Sequence, residues 1–266
     1  MNREERHPLS AGMRARVLEE LLRVEREQNV RVLYACESGS RAWGFASPDS
    51  DYDVRFVYVH EPDWYMRVEE PRDVLEFPLS DDLDLCGWEL RKALRLLRKS
   101  NPTLLEWLDS PLVYRQNQAF SQRLRELALE FASPAAVRAH YLAMARKNYR
   151  AYLQGHEVRY KKYFYALRPL LAVRWMDQGL GMPPMVFEDL LAATLDDPAP
   201  RAEIDELLHL KRQAGEVACG PARPVLQQWM EGELRRAEGM SAPRKPMGDV
   251  SRLDAFLRDW VRSEWC

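Results

Sequence analysis

The chain has 266 residues, 46% hydrophobic and 10% aromatic, and its 39 basic and 41 acidic residues leave a net charge of −2. That length and composition suit one large or two small folded domains and exclude a disordered chain. The cysteines Cys36, Cys86, Cys219 and Cys266 are too scattered for a zinc cluster or a disulfide framework, the N-terminus is too polar for a signal peptide, and Arg168 and Arg174 break the best apolar run, so a cytoplasmic protein with no membrane span is expected.

Ser10 is placed to cap a helix in which Met13, Val17, Leu18, Leu21, Leu22 and Val24 form one apolar stripe. Residues 31–37 read as a buried strand ending in the turn Ser38-Gly39-Ser40, with a short helix from Arg41. Ser47-Pro48-Asp49-Ser50 has loop composition, and a second strand is predicted from about Asp53 to Val59. Two short β-prone pieces lie near 74–78 and 82–86. A helix is predicted from near Gly87, burying Trp88, Leu90, Leu94 and Leu97. From 117 onward the pattern is almost all helical. Asn117, Ser133-Pro134 and Pro200 stand at helix starts, and Pro183-Pro184 and Gly239 to Gly248 read as breaks. The expected fold class is α+β: a small mixed-sheet domain over residues 1–115, then an all-helical domain over 116–266.

The nearly neutral total hides an asymmetry. Residues 45–89 carry thirteen carboxylates against three arginines, and residues 138–175 carry nine basic residues against one glutamate. An acidic region suited to metal and a basic region suited to phosphate coexist in one chain.

Asp51 and Asp53 are two apart at a strand entrance, a spacing that projects both side chains from one face. Close carboxylates repel unless a cation sits between them, and hard oxygen donors suit magnesium or manganese. Such ions orient a nucleoside triphosphate and neutralise leaving pyrophosphate. A third carboxylate from a neighbouring strand would complete the site. Asp84 is the candidate, and Asp82 faces the same way if residues 82–84 are extended.

Asp-x-Asp alone is a weak motif; its meaning comes from Gly39-Ser40 upstream, between a strand and a helix. Gly39 lets the backbone approach a phosphate, and Ser40 offers a hydroxyl and an amide at a helix start. Arg41 is placed to serve either the site or the packing around it. Trp43 is expected to pack, and Glu37 to hold the turn by a hydrogen bond. Farther on, Lys161 and Arg168 share a helix face with Tyr165, and Lys161 and Lys162 are adjacent like charges that call for an anion. These three are candidate phosphate contacts, with Lys211 a fourth.

The stretch Gly39-Ser40-Arg41-Ala42-Trp43-Gly44 to Ser50-Asp51-Tyr52-Asp53-Val54-Arg55 resembles the RNA-ligase-associated, YcgL-like nucleotidyltransferases of the polymerase-beta-like superfamily. The resemblance continues through Gly87 to Leu94, Asn101 to Leu108, Lys161 to Pro169 and Pro183-Pro184, and so covers most of residues 31–216. It implies a nucleotidyltransferase domain followed by a helical domain that closes over the nucleotide. It implies that Gly39 and Ser40 meet the triphosphate, and that Asp51, Asp53 and a third acid bind metal. The expected reaction moves a nucleoside monophosphate from a nucleoside triphosphate to an acceptor hydroxyl. An RNA end is the favoured acceptor. A protein acceptor and a catalytically silent nucleotide- or RNA-binding module are the rivals.

Overall fold

A computed structural model describes residues 9–78, 82–213, 217–240 and 248–265. The chain divides into two units. The first comprises residues 1–42, 51–132 and 246–266, and the second residues 43–50 and 133–245. Among the described residues, no helix is long and apolar enough to cross a membrane.

The first unit is built on a five-stranded mixed sheet. Its strands are β1 (Val30–Glu37), β2 (Tyr52–His60), β3 (Val74–Glu76), β4 (Leu83–Glu89) and β5 (Val113–Gln116), in the order β3-β4-β2-β1-β5. β2 and β4 run parallel; the other three pairings are antiparallel. Helix α1 (Ala11–Gln28) covers one face, and Ser10 caps it by accepting the Met13 amide at 3.1 Å. Val17, Leu21 and Val24 of α1 share a core with Val54, Phe56 and Tyr58 of β2. The alternate residues Val57 and Val59 enter a second core, as the two-residue period of a strand requires. That core is filled from α3 (Leu90–Arg98), α4 (Pro102–Leu108), α5 (Gln118–Phe131) and α11 (Val250–Ser263).

Two expectations change here. The helix read from near Gly87 starts at Leu90, because Gly87-Trp88-Glu89 continue β4. Gly87 pairs opposite Phe56, and a Cβ at Gly87 would lie 2.1 Å from the Phe56 ring. Only glycine lets the strand pass there. Glu89 then caps α3, accepting the Arg91 amide at 2.8 Å. Second, a single cut near residue 115 does not describe the chain. α5 and α11 lie in the helical half of the sequence, yet Phe120, Leu124, Phe256 and Trp260 share a core with Leu33 and Val57 of the sheet.

The second unit is helical with a small ribbon that periodicity did not reveal. β6 (Glu157–Arg159) and β7 (Cys219–Pro221) pair antiparallel. The helices are α6 (Pro134–Tyr152), α7 (Tyr160–Asp177), α8 (Phe187–Thr194), α9 (Pro198–Gln213) and α10 (Pro224–Glu238). α7 packs against all the others. Buried Arg138 of α6 grips Asp177 of α7 at 2.6 and 3.1 Å and donates to the Ala237 carbonyl of α10 at 2.8 Å. Of the predicted break from Gly239 to Gly248, residues 241–247 lie outside the described residues.

Pro169 sits inside α7 and lacks the N–H that would bond the Tyr165 carbonyl one turn back. The Asn148 side-chain amide of α6 donates to that carbonyl instead, at 3.0 Å. Asn148→Ala is therefore expected to cost about 1 kcal/mol in chemical denaturation. In a Pro169→Ala background, where the helix regains its own donor, the same change should cost much less. Equal costs in both backgrounds would show that the carbonyl does not need Asn148.

Candidate active site

The site in the first unit grows from the junction of β1 and β2. β1 ends at Glu37, which is fully buried. Its Oε1 accepts the Asp53 amide at 2.8 Å, and its Oε2 accepts the Tyr114 hydroxyl. The Ser38 amide donates to the Asp53 carbonyl at 2.8 Å. Asp53 is thus held through both of its backbone groups by the last turn of β1. Glu37 was expected to hold the glycine turn; it holds the carboxylate strand.

The short helix α2 (Gly39–Trp43) follows at once. Gly39 has φ 60°, a left-handed conformation, and a Cβ there would lie 2.0 Å from Asp53 Oδ2. The glycine turn and the Asp53 carboxylate are in direct apposition. Ser40 is half-buried beside Gly39. Arg41 is buried: its Nε donates to the Asp51 carbonyl at 3.2 Å and its guanidinium stacks 3.7 Å over the Tyr52 ring. In this position Arg41 secures the approach to β2.

Asp51 is exposed and stands one residue before β2, so strand alternation does not fix its side chain beside Asp53. Asp84 lies on β4 directly opposite Asp53. Arg55 joins the pair: its Nη2 is 2.7 Å from Asp53 Oδ1 and 2.7 Å from Asp84 Oδ2. Its Nη1 donates to the Asp84 carbonyl at 3.0 Å. Burial works against the Arg55 charge, but Asp53 and Asp84 more than offset this and raise its pKa. Asp82 is not part of the strand that carries Asp84. It precedes β4 with φ 66°, and its carbonyl accepts the Tyr52 amide at 2.7 Å, so it is a turn residue.

Among the described residues, no three His, Cys, Asp or Glu side chains form a group that could hold a metal ion. The donor chemistry of Asp53 and Asp84 still fits a hard divalent cation, since two carboxylates converge on one positively charged nitrogen. Arg55, which joins the two acids, was not among the residues singled out from the sequence. Its signal was its position two after Asp53, which puts it on the same strand face.

The remaining candidates belong to the second unit. Arg168 is buried, donates through Nε to the Met185 carbonyl at 3.1 Å and packs 4.8 Å from the Trp43 ring. Lys211 is buried, with Nζ 3.1 Å from Ser47 Oγ. Lys162 lies 3.9 Å over the Tyr152 ring, and Lys161 is half-buried in the first turn of α7. Trp43 packs against Phe45 and Tyr165, as expected, and Phe45 packs against Phe164 and edge-on to Phe187. Arg168 and Lys211 thus both hold the 43–50 segment.

The sequence profile of the RNA repair pathway DNA polymerase beta family matches residues 13–259. The chain belongs to that family. It is 46% identical over 257 residues to the protein YcgL of Bacillus subtilis (strain 168), spanning 95% of this chain and 98% of that one. A solved nucleotidyltransferase-like protein from Exiguobacterium sibiricum 255-15 aligns over 91% of this chain and 75% of its own at 16% identity. Its TM-score of 0.30 is too low to bear on the reaction.

Two predictions follow from this geometry. Gly39→Ala is expected to lose about 1–2 kcal/mol from the left-handed backbone alone, measured by denaturation, and to displace the Asp53 carboxylate. Glu37 gives a pH signature. Burial pushes its carboxyl up from the usual 4.5 to about 7, against the pull of the Tyr114 and Asp53 donors. The folded chain then holds a proton that the unfolded chain has released, so stability falls as pH rises from 4.5 to 7. The loss is on the order of 3 kcal/mol, and Glu37→Gln should flatten that slope in denaturation series across this window.

Proposed function

We propose that the chain is a metal-dependent nucleotidyltransferase that transfers a nucleoside monophosphate from a nucleoside triphosphate to an acceptor hydroxyl, with an RNA end as the favoured acceptor. The observation that carries this reading is the convergence of Asp53 and Asp84 at one register, with the Gly39 turn against Asp53. Membership of a polymerase beta family supports transferase chemistry, and the family's RNA repair description supports RNA as acceptor.

In this reading Asp53 and Asp84 hold magnesium or manganese, with Asp51 as a further ligand. When bound, the metal offsets charge on the triphosphate and on the departing pyrophosphate. Asp84 takes the proton of the acceptor hydroxyl. The oxygen–phosphorus bond forms at the α-phosphorus, the α–β bridge breaks, and pyrophosphate leaves. Gly39 lets the backbone come close to phosphate, with Ser40 donating from amide and hydroxyl. Lys161 and Lys162 are proposed phosphate contacts on the helical unit. Arg168 and Lys211 act at one remove, by fixing residues 43–50, which connect the glycine turn to Asp51.

The test is transfer of label from an α-labelled triphosphate with Mn2+, offered RNA oligonucleotides or cell proteins. The parent is expected to label RNA. Asp53→Asn and Asp84→Asn should each reduce labelling by roughly a hundredfold or more. Label on protein alone would transfer the assignment to a protein acceptor. Triphosphate binding without transfer to either would leave a silent binding module.

A further inference from the structure

We infer that Arg55 is a built-in counter-charge, which occupies the cation position between Asp53 and Asp84 and competes with a divalent metal for the same carboxylates. The inference rests on the metal site proposed above.

One guanidinium nitrogen, Nη2, is 2.7 Å from an oxygen of each carboxylate. The other, Nη1, is anchored to the carbonyls of Asp84 at 3.0 Å and Val54 at 3.2 Å. This is a fixed fork whose partners lie on the two strands that carry the acids. The Arg55 side chain is 18% exposed, against 28% for Asp53 and 38% for Asp84. The cation is therefore the most buried of the three and is not a surface pairing screened by solvent. An arginine does not give up its proton in proteins, so it cannot vacate the position by titration. It leaves only by rotating away and breaking its fork. A metal that takes Asp53 and Asp84 as ligands must displace this charge or bind beside it. Either route weakens metal affinity relative to a site with the same acids and no arginine. The same charge keeps the two acids paired when no metal is bound.

The experiment titrates the full-length chain with Mn2+, reading bound metal by electron paramagnetic resonance and thermal stability by calorimetry. It compares the parent with Arg55→Gln, Arg55→Lys and Asp53→Asn. Arg55→Gln is expected to bind Mn2+ roughly tenfold more tightly, because a like charge a few ångströms from the metal is gone. Its melting temperature in chelator should fall below the parent's, and added Mn2+ should restore it. Arg55→Lys keeps the charge without the fork and should also bind Mn2+ more tightly than the parent; it carries the test if Arg55→Gln does not fold. Unchanged or weaker Mn2+ affinity in the folded variants, with binding still lost in Asp53→Asn, would overturn the counter-charge role and leave the metal site standing. Mn2+ binding that Asp53→Asn does not alter would overturn the metal site itself, and the role of Arg55 with it.

Discussion

Asp53 and Asp84 face each other across β2 and β4, and neither can be moved without breaking a parallel pairing. Two half-buried carboxylates at one register repel, and the sheet that aligns them gives no relief. The relief is Arg55, reaching from the strand face that it shares with Asp53 to touch both acids. At this point of the fold the positive charge between the two acids is the Arg55 guanidinium. In this sense the acidic region read from composition is more than a solvated charge run, because two of its members share one guanidinium.

The neighbouring contacts keep that point in place. Glu37 and Ser38 hold the Asp53 amide and carbonyl, while Arg41 grips the Asp51 carbonyl and stacks on Tyr52. Gly39 has no side chain where Asp53 Oδ2 needs the room. A fully buried acid such as Glu37 is costly to ionise, and its raised pKa expresses that cost. Its two donors, the Tyr114 hydroxyl and the Asp53 amide, explain why it is tolerated. Both bonds favour the carboxylate and oppose the upward push of burial.

The strands and first helices were legible because local rules governed them. Ser10 capped its helix, and alternation along β2 separated its two cores. Reading failed where a distant residue set the outcome. Gly87 looks like a helix boundary in isolation; it is a strand residue because the Phe56 ring lies against it. Asp82 and Asp84 could not be separated by spacing, since the left-handed turn at Asp82 depends on a bond to Tyr52. α5 and α11 carry ordinary helical patterns that do not say which core they enter. Arg55 stands beside the motif in the sequence, but only the pairing of β2 with β4 gives it a second carboxylate.

In the second unit two of the candidate cations are already engaged within the fold. From the sequence Arg168 and Lys211 are candidate phosphate contacts. Both are buried, and both act on residues 43–50: Lys211 on Ser47, Arg168 on Trp43. Burying a cation is unfavourable unless polar groups replace its water. The Met185 carbonyl and the Ser47 hydroxyl contribute to that replacement. The Ser47 amide and hydroxyl in turn contact Ser50 Oγ at 2.9 and 2.8 Å, immediately before Asp51. The ends of the glycine–aspartate motif are built by the sheet and its middle by the helices.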